Sequence, residues 1–317
     1  MIKFIEMTGE LNPNASKELK QRWGFDLGGT KIEGVILDPF DPTKALHRLR
    51  LPTRSEEGYE QILKRIETLV AMLESESGSK RPTVIGIGTP GVTDPQNGLL
   101  KNSNTVCLNG KALDSDLSKF LGCEVLLAND ANCCALAEAT LGAAKGYRTV
   151  FGIILGTGVG GGIAVDGRAL TGAHGICGEW GHNPIPGEVT PCYCGRTGCV
   201  ETVIAGPALE RFYRELTGNN LSLPEIVELA GRGDPHAKAT LEKLREKFSR
   251  ALAAVINIFD PDAIVIGGGV GNLSLLYAQE TRDAIRAHLF NDRFDTPLLR
   301  PLLGDSAGVF GAAMLTG

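Results

Sequence analysis

The sequence predicts an α/β protein of two related lobes around a shared cleft, and three observations carry that expectation. The chain has 317 residues, enough for two domains at about 150 residues each. It holds 41 glycines, nearly twice the roughly 22 that ordinary usage would give. Because glycine is costly in backbone entropy, such an excess needs a use. The third observation is an internal echo at half-chain spacing. Residues 23–38 and 152–166 each read as an apolar strand, a glycine turn and a departing strand. With an offset of 128, Gly24/Gly152, Leu27/Leu155, Gly28/Gly156, Gly34/Gly162 and Asp38/Asp166 are identical, which points to duplication.

The remaining elements follow in order. Val84–Gly88 reads as a short buried strand running into the turn Thr89-Pro90-Gly91. Val125–Ala128 is another strand, followed by an alanine-rich helix over Ala131–Leu141 that Gly142 closes. Residues 142–148 form the passage between lobes. Helices are expected over Pro207–Leu216 and Asp234–Phe259, a strand over Ala263–Ile266 ending in Gly267-Gly268-Gly269, and a small-residue helix over Asp305–Leu315. The chain thus divides into an N-terminal extension (1–22), a first lobe (23–142) to which the C-terminal helix (305–317) returns, and a second lobe (143–304).

Composition excludes several classes. An apolar share of 43% and a charged share of 22% are ordinary globular usage, not disorder, collagen or coiled coil. The net charge of −5 provides no basic footprint for nucleic acid or an anionic membrane. Lys3 and Glu6 interrupt the only apolar run near the start, so no signal peptide is expected. The uncharged stretch between Arg148 and Asp166, which no other exceeds in length, contains six glycines and is too short to span a bilayer. A cytoplasmic enzyme is expected.

Gly156-Thr157-Gly158-Val159-Gly160-Gly161 has the G-x-G-x-x-G spacing of a dinucleotide fold. That fingerprint needs a helix after the turn. Here Gly162–Asp166 reads as a strand, so the context fails. A glycine hairpin still presents unobstructed N–H groups to a phosphate, and two of them could hold a nucleotide from both sides. The first hairpin adds Asp26, Thr30 and Lys31. A carboxylate beside a phosphate cradle suggests Mg²⁺ bound there through water. Asn129-Asp130 lies between a strand and a helix, where Asp could be a plain N-cap or the base that takes a hydroxyl proton during phosphoryl transfer. His182, Cys192, Cys194 and Cys199 are the full ligand set of a closed structural zinc site. The cysteine spacing is not that of a zinc finger. Glu179 and Glu201 flank this loop, which would bring them together.

Asp26–Lys31, Leu155–Gly162, Gly178–His182 and the run from Cys192 through Cys199 to Glu201 resemble the ROK (repressor, ORF, kinase) family of sugar kinases, from about residue 23 to the C-terminus. The resemblance implies an actin/hexokinase-like (ribonuclease H-like) duplicated two-lobe α/β fold with ATP in the cleft. It makes Gly24, Asp26, Gly28, Gly29, Thr30 and Lys31 one phosphate loop and Gly156, Thr157, Gly158, Gly160 and Gly161 the other. It places Gly267, Gly268 and Gly269 near the adenosine. Asp130 becomes the catalytic base, and Asn104, Asn129, Glu179, His182 and Glu201 become sugar ligands or their supports. One ring nitrogen of His182 would face the metal and the other the sugar.

Lys101–Asn104, Leu108-Asn109-Gly110 and Glu179–Pro184 look most like bacterial fructokinases, implying transfer from ATP to the 6-hydroxyl of fructose, with mannose or glucose as further hexoses. The alternatives are an N-acetylglucosamine kinase or glucokinase of the same family and, remotely, a sugar-responsive regulator without catalysis. A repressor would need a helix-turn-helix ahead of Trp23, for which 22 residues are too few. A homodimer is implied at the family level.

Overall fold

The computed structural model describes residues 21–317, so most of the 1–22 extension lies outside the described residues. The first lobe opens with the antiparallel hairpin β1 (Trp23–Leu27) and β2 (Lys31–Leu37), and β3 (Ala45–Pro52) lies along the outer edge of β2. Helix α1 (Tyr59–Ser77) follows, then β4 (Val84–Thr89), the small ribbon β5 (Val92–Thr93) and β6 (Leu100–Lys101), helix α2 (Leu113–Leu121), β7 (Glu124–Asn129) and α3 (Asp130–Thr140). The second lobe begins with the hairpin β8 (Thr149–Leu155) and β9 (Val159–Val165), flanked by β10 (Arg168–Ala169). It continues through α4 (Val200–Ile204), α5 (Gly206–Thr217), α6 (Leu223–Gly231), α7 (Pro235–Phe259), β11 (Ala263–Gly267), α8 (Gln279–Arg286) and β12 (Leu298–Leu299), and ends with α9 (Ala307–Met314).

The two sheets have matching orders, β3-β2-β1-β4-β7 and β10-β9-β8-β11-β12. In each, the first strand pairs antiparallel with the second and parallel with the fourth. This is the duplicated actin/hexokinase-like architecture that the resemblance implies. The numerical echo needs a correction. Leu27 pairs with Ile32 but Leu155 pairs with Val159, so the second turn is one residue shorter. The offset of 128 therefore holds for the first strands and slips by one beyond the turns. Gly34 faces Phe25 as Gly161 faces Ile153, so Gly34/Gly162 and Asp38/Asp166 are not structural counterparts.

Each sheet is covered on both faces. In α1, Ile62, Leu63, Ile66, Leu69, Val70 and Leu73 recur at helical spacing and pack with Trp23 and Phe25. In α7, capped by the Asp234 carboxylate accepting from Ala237 N–H at 2.7 Å, Leu244, Phe248 and Leu252 pack with Phe151 and Ile153. The opposite faces are covered crosswise. Helix α3, which ends the first half of the sequence, lies on β8 and β9, whereas α9, which ends the chain, lies on β1, β2 and β4.

Glycines make these approaches possible. A Cβ at Gly86 would overlap the Ala312 carbonyl, one at Gly162 the Ala131 carbonyl, and one at Gly311 the Cys133 carbonyl where α9 crosses α3. Part of the glycine excess therefore serves helix–sheet and helix–helix packing. Among the described residues, no helix is long and apolar enough to cross a membrane.

Candidate active site

The first glycine hairpin is fastened to the end of β3. Gly28 N–H donates to the Lys31 carbonyl at 3.0 Å, Thr53 Oγ1 donates to the Gly28 carbonyl at 2.6 Å, and Thr53 N–H donates to the Thr30 carbonyl at 2.9 Å. Gly29, Thr30 and Lys31 are left exposed at the tip. Behind them, Asp26 sits half-buried with its carboxyl pushed up to about 6, by burial first and then by the charges of Asp130 and Glu33, against the pull of Lys31. Glu33 is buried. Burial alone would raise its pKa, but hydrogen bonds from Arg50, at 2.8 Å, and Arg48 bring it below its ordinary value. Lys31 Nζ stands 3.7 Å from the same carboxylate.

Asn129 and Asp130 divide their work differently from the expectation. Asn129 caps α3, its Oδ1 accepting from Ala131 N–H at 2.9 Å, while its Nδ2 donates to the Gly91 carbonyl at 3.3 Å. Asp130 opens the helix, with Oδ1 accepting from Ala131 N–H at 2.7 Å. Its carboxylate reaches solvent through the cleft mouth but is ringed by protein. That burial raises its pKa despite the Ala131 N–H and Asn129 amide, which favour the ion. Gly91 packs on Ser103, which Asn109 grips with two hydrogen bonds of 2.9 Å, and Asn104 is exposed beside it.

The second hairpin meets the turn after β11. Leu155 O accepts from Val270 N–H at 2.9 Å and Gly271 N–H at 3.0 Å, and a Cβ on Gly156 would lie 3.7 Å from Gly269 N. Gly267, Gly268 and Gly269 thus adjoin Gly156, while Thr157 projects to solvent. Two of the expected phosphate ligands are buried. Gly24 is buried under α9 against Ala313 and Val309, and Gly161 is buried against Trp180 and Gly178. At both positions a Cβ would overlap a neighbour, so each glycine serves packing.

Glu201 reaches this hairpin, its Oε2 accepting from Val159 N–H at 3.0 Å. Glu179 is pushed up by burial and by the charges of Asp130 and Glu201, and His182 pulls it the other way. The charges of Asp130, His182 and Glu201 thus all reach Glu179. The ligand atoms of His182, Cys192, Cys194 and Cys199 lie within 4.8 Å of one another. Cys192 Sγ is 3.6 Å from His182 Nδ1, and Cys194 Sγ is 3.6 Å from Cys199 Sγ. The edge of a tetrahedron with zinc–thiolate bonds is about 3.8 Å, so the donor set and spacing fit that metal.

Sequence reasoning missed several supports. Tyr193, between two cysteines, places its hydroxyl 3.0 Å from His182 Nε2, with the rings edge-to-face at 5.2 Å. The nitrogen expected to face the sugar is thus engaged by a tyrosine of the same loop. Trp180 donates from Nε1 to the Gly160 carbonyl at 3.0 Å and packs edge-on between Phe151 and Phe248, pinning the Glu179–His182 turn to the hairpin. Tyr193 had a local signal in its position between two metal-ligand candidates. Glu33 had none, because its partners sit on another strand.

Two glycine hairpins, a strand-end carboxylate and a Cys/His loop flanked by two further carboxylates accord with the sugar-kinase class that the resemblance implies. The profile described as ROK family matches residues 22–317, and the chain belongs to the ROK family. It is 37% identical over 304 residues to an N-acetyl-D-glucosamine kinase of Citrobacter koseri, covering 92% of this chain and 98% of that one. An N-acetyl-D-glucosamine kinase of Yersinia pseudotuberculosis is 35% identical over 303 residues, with the same coverage. Among solved structures, the ROK hexokinase of Thermus thermophilus superimposes with a TM-score of 0.83 at 34% identity, covering 93% of this chain and 97% of that chain. A ROK glucokinase of Streptomyces griseus in complex with glucose and AMPPNP gives 0.73 at 28% identity, covering 93% and 99%. The curated relatives favour the N-acetylglucosamine kinase alternative over the expected fructokinase.

Proposed function

We propose that the chain transfers the γ-phosphoryl group of ATP to the 6-hydroxyl of a hexose, with N-acetylglucosamine as the preferred acceptor. The observation that carries the chemistry is Asp130: a carboxylate just beyond the end of β7, the outermost strand beside β4, open to the cleft and held by a capped helix. In this reading Asp130 orients the sugar hydroxyl and takes its proton as the oxygen attacks in line. Glu179 and Glu201 hold other sugar hydroxyls, with His182 supporting them from the metal loop, Asn104 at the rim and Asn129 fixing the helix that carries the base. Gly28–Lys31 and Gly156–Gly160 hold the phosphates, and Gly267–Gly269 border the adenosine.

Asp26, crowded by Asp130 and Glu33, suits a water-mediated Mg²⁺, which would neutralise phosphate charge. His182, Cys192, Cys194 and Cys199 would hold a structural zinc ion that shapes the sugar loop. The lobes are proposed at 23–142 with the C-terminal helix, and at 143–304. A cytoplasmic homodimer accords with the family. The test is an ADP-release screen over N-acetylglucosamine, glucose, mannose and fructose. The highest kcat/KM is expected with N-acetylglucosamine. A clear preference for fructose would overturn the choice of sugar, and no turnover with any of them would overturn the kinase reading.

A further inference from the structure

We propose that Glu138 is the pin of the hinge between the lobes, a positioning residue that sets where α3 and its Asp130 stand when the cleft closes. The proposal rests on the kinase reading of that cleft. The chain passes between the two sheets twice, through α3 and the segment 141–148 that follows it, and again through the segment before α9. Glu138 is 3% exposed and sits in the last turn of α3, where the two passages meet.

Its Oε2 accepts from Ala143 N–H of the first passage at 2.8 Å and from Leu302 N–H of the second at 3.1 Å, while Oε1 accepts from Leu303 N–H at 2.9 Å. Among the described residues no other side chain bonds both passages. A carboxylate suits the place because it only accepts and all three partners donate. Gly142 makes room for it, since a Cβ there would overlap the carboxylate.

The geometry of α3 links this pin to the chemistry. Asp130 lies eight residues earlier on the same helix, about 12 Å along its axis. Midway, Cys133 and Gly311 bring the backbones of α3 and α9 into contact. Close-packed backbones resist separation, which leaves rotation about the crossing as the available lobe motion. An acceptor shared by both passages restrains that rotation at one end of α3 and registers the base at the other.

Three variants test this: Glu138→Ala, Glu138→Gln and Gly142→Ala. Glutamine keeps one acceptor oxygen, enough to tie Ala143 to Leu302 while losing Leu303. Each variant is assayed for kcat and for KM of both substrates. Its radius of gyration is measured by small-angle X-ray scattering with and without hexose plus a non-hydrolysable ATP analogue. Wild type is expected to compact on ligand binding. Glu138→Gln should compact and keep kcat within about threefold, whereas Glu138→Ala and Gly142→Ala should lose kcat by about tenfold or more with KM for ATP within about threefold, and lose the compaction.

Folded Glu138→Ala or Gly142→Ala protein that compacts and turns over like wild type overturns the proposal, as does Glu138→Gln behaving like the alanine variant. If Glu138→Ala does not fold, Gly142→Ala decides. Failure of the kinase reading shows separately, as absent wild-type turnover.

Discussion

Asp26 and Asp130 are both carboxylates whose pKa the surrounding protein raises, and each has its own observable consequence. Asp130→Asn removes the proton acceptor while keeping the shape of the helix start. Turnover should fall on the order of 10²–10⁴-fold with an unchanged circular dichroism spectrum, and near wild-type turnover would exclude the role. Because the Asp130 pKa is raised, the acid limb of the wild-type pH–rate profile should lie above the ordinary carboxylate range. For Asp26, between its unfolded value of 3.8 and about 6 the folded chain keeps a proton that the unfolded chain has lost. Stability of the ligand-free protein therefore falls as pH rises through that window, and the deficit persists above it. Asp26→Asn should melt higher than wild type at pH 7–8, with the gap closing near pH 4, while activity drops. Coincident melting curves at all pH values would refute the strained-carboxylate picture.

The Cys/His loop and the hairpins show which elements could be read from sequence. The hairpins, the capped helix after β7 and the metal-ligand set are contiguous motifs, so their chemistry is legible in one dimension. The register slip between hairpins is not, because it depends on how each turn closes. Helices α1, α2, α4, α6 and α8 were not expected: α1 packs under β2 and β3, and α4, α6 and α8 pack on α7, contacts that the local sequence does not spell out. Asn109 looked like a mark of sugar identity, yet it engages Ser103 with both ends of its amide and so bears on loop shape rather than on the acceptor. Glu33, Glu138 and Trp180 matter through partners far off in sequence. At this scale, purified untagged protein should contain about one zinc per chain by plasma mass spectrometry. Chelation or Cys194→Ser should weaken hexose binding before ATP binding, since the loop carries Glu179, Glu201 and His182 while most of the nucleotide cradle lies elsewhere. Metal-free protein with unaltered stability and sugar affinity would remove zinc from the account.

At the scale of the molecule, the α3–α9 crossing decides how the halves are joined. Gly311→Ala places a methyl group against the Cys133 carbonyl. It should destabilise the whole chain by about 1–3 kcal/mol, lowering a single melting transition rather than splitting it in two. A variant as stable as wild type would show that the crossing is looser than its geometry. The crosswise covering of the sheets also bears on how the chain is made. Val35 and Leu37 of the first sheet share a cluster with Val309, Phe310 and Ala313 near the C-terminus. At about 5–20 residues per second the ribosome needs on the order of ten to thirty seconds to go from the end of α3 to the start of α9. During that interval the nascent first sheet has one face bare. Its completion waits for the last residues to emerge, so an early stop or a stalled ribosome near the end of the message would release a long, nearly full-length chain with that face still open to aggregation and chaperone capture.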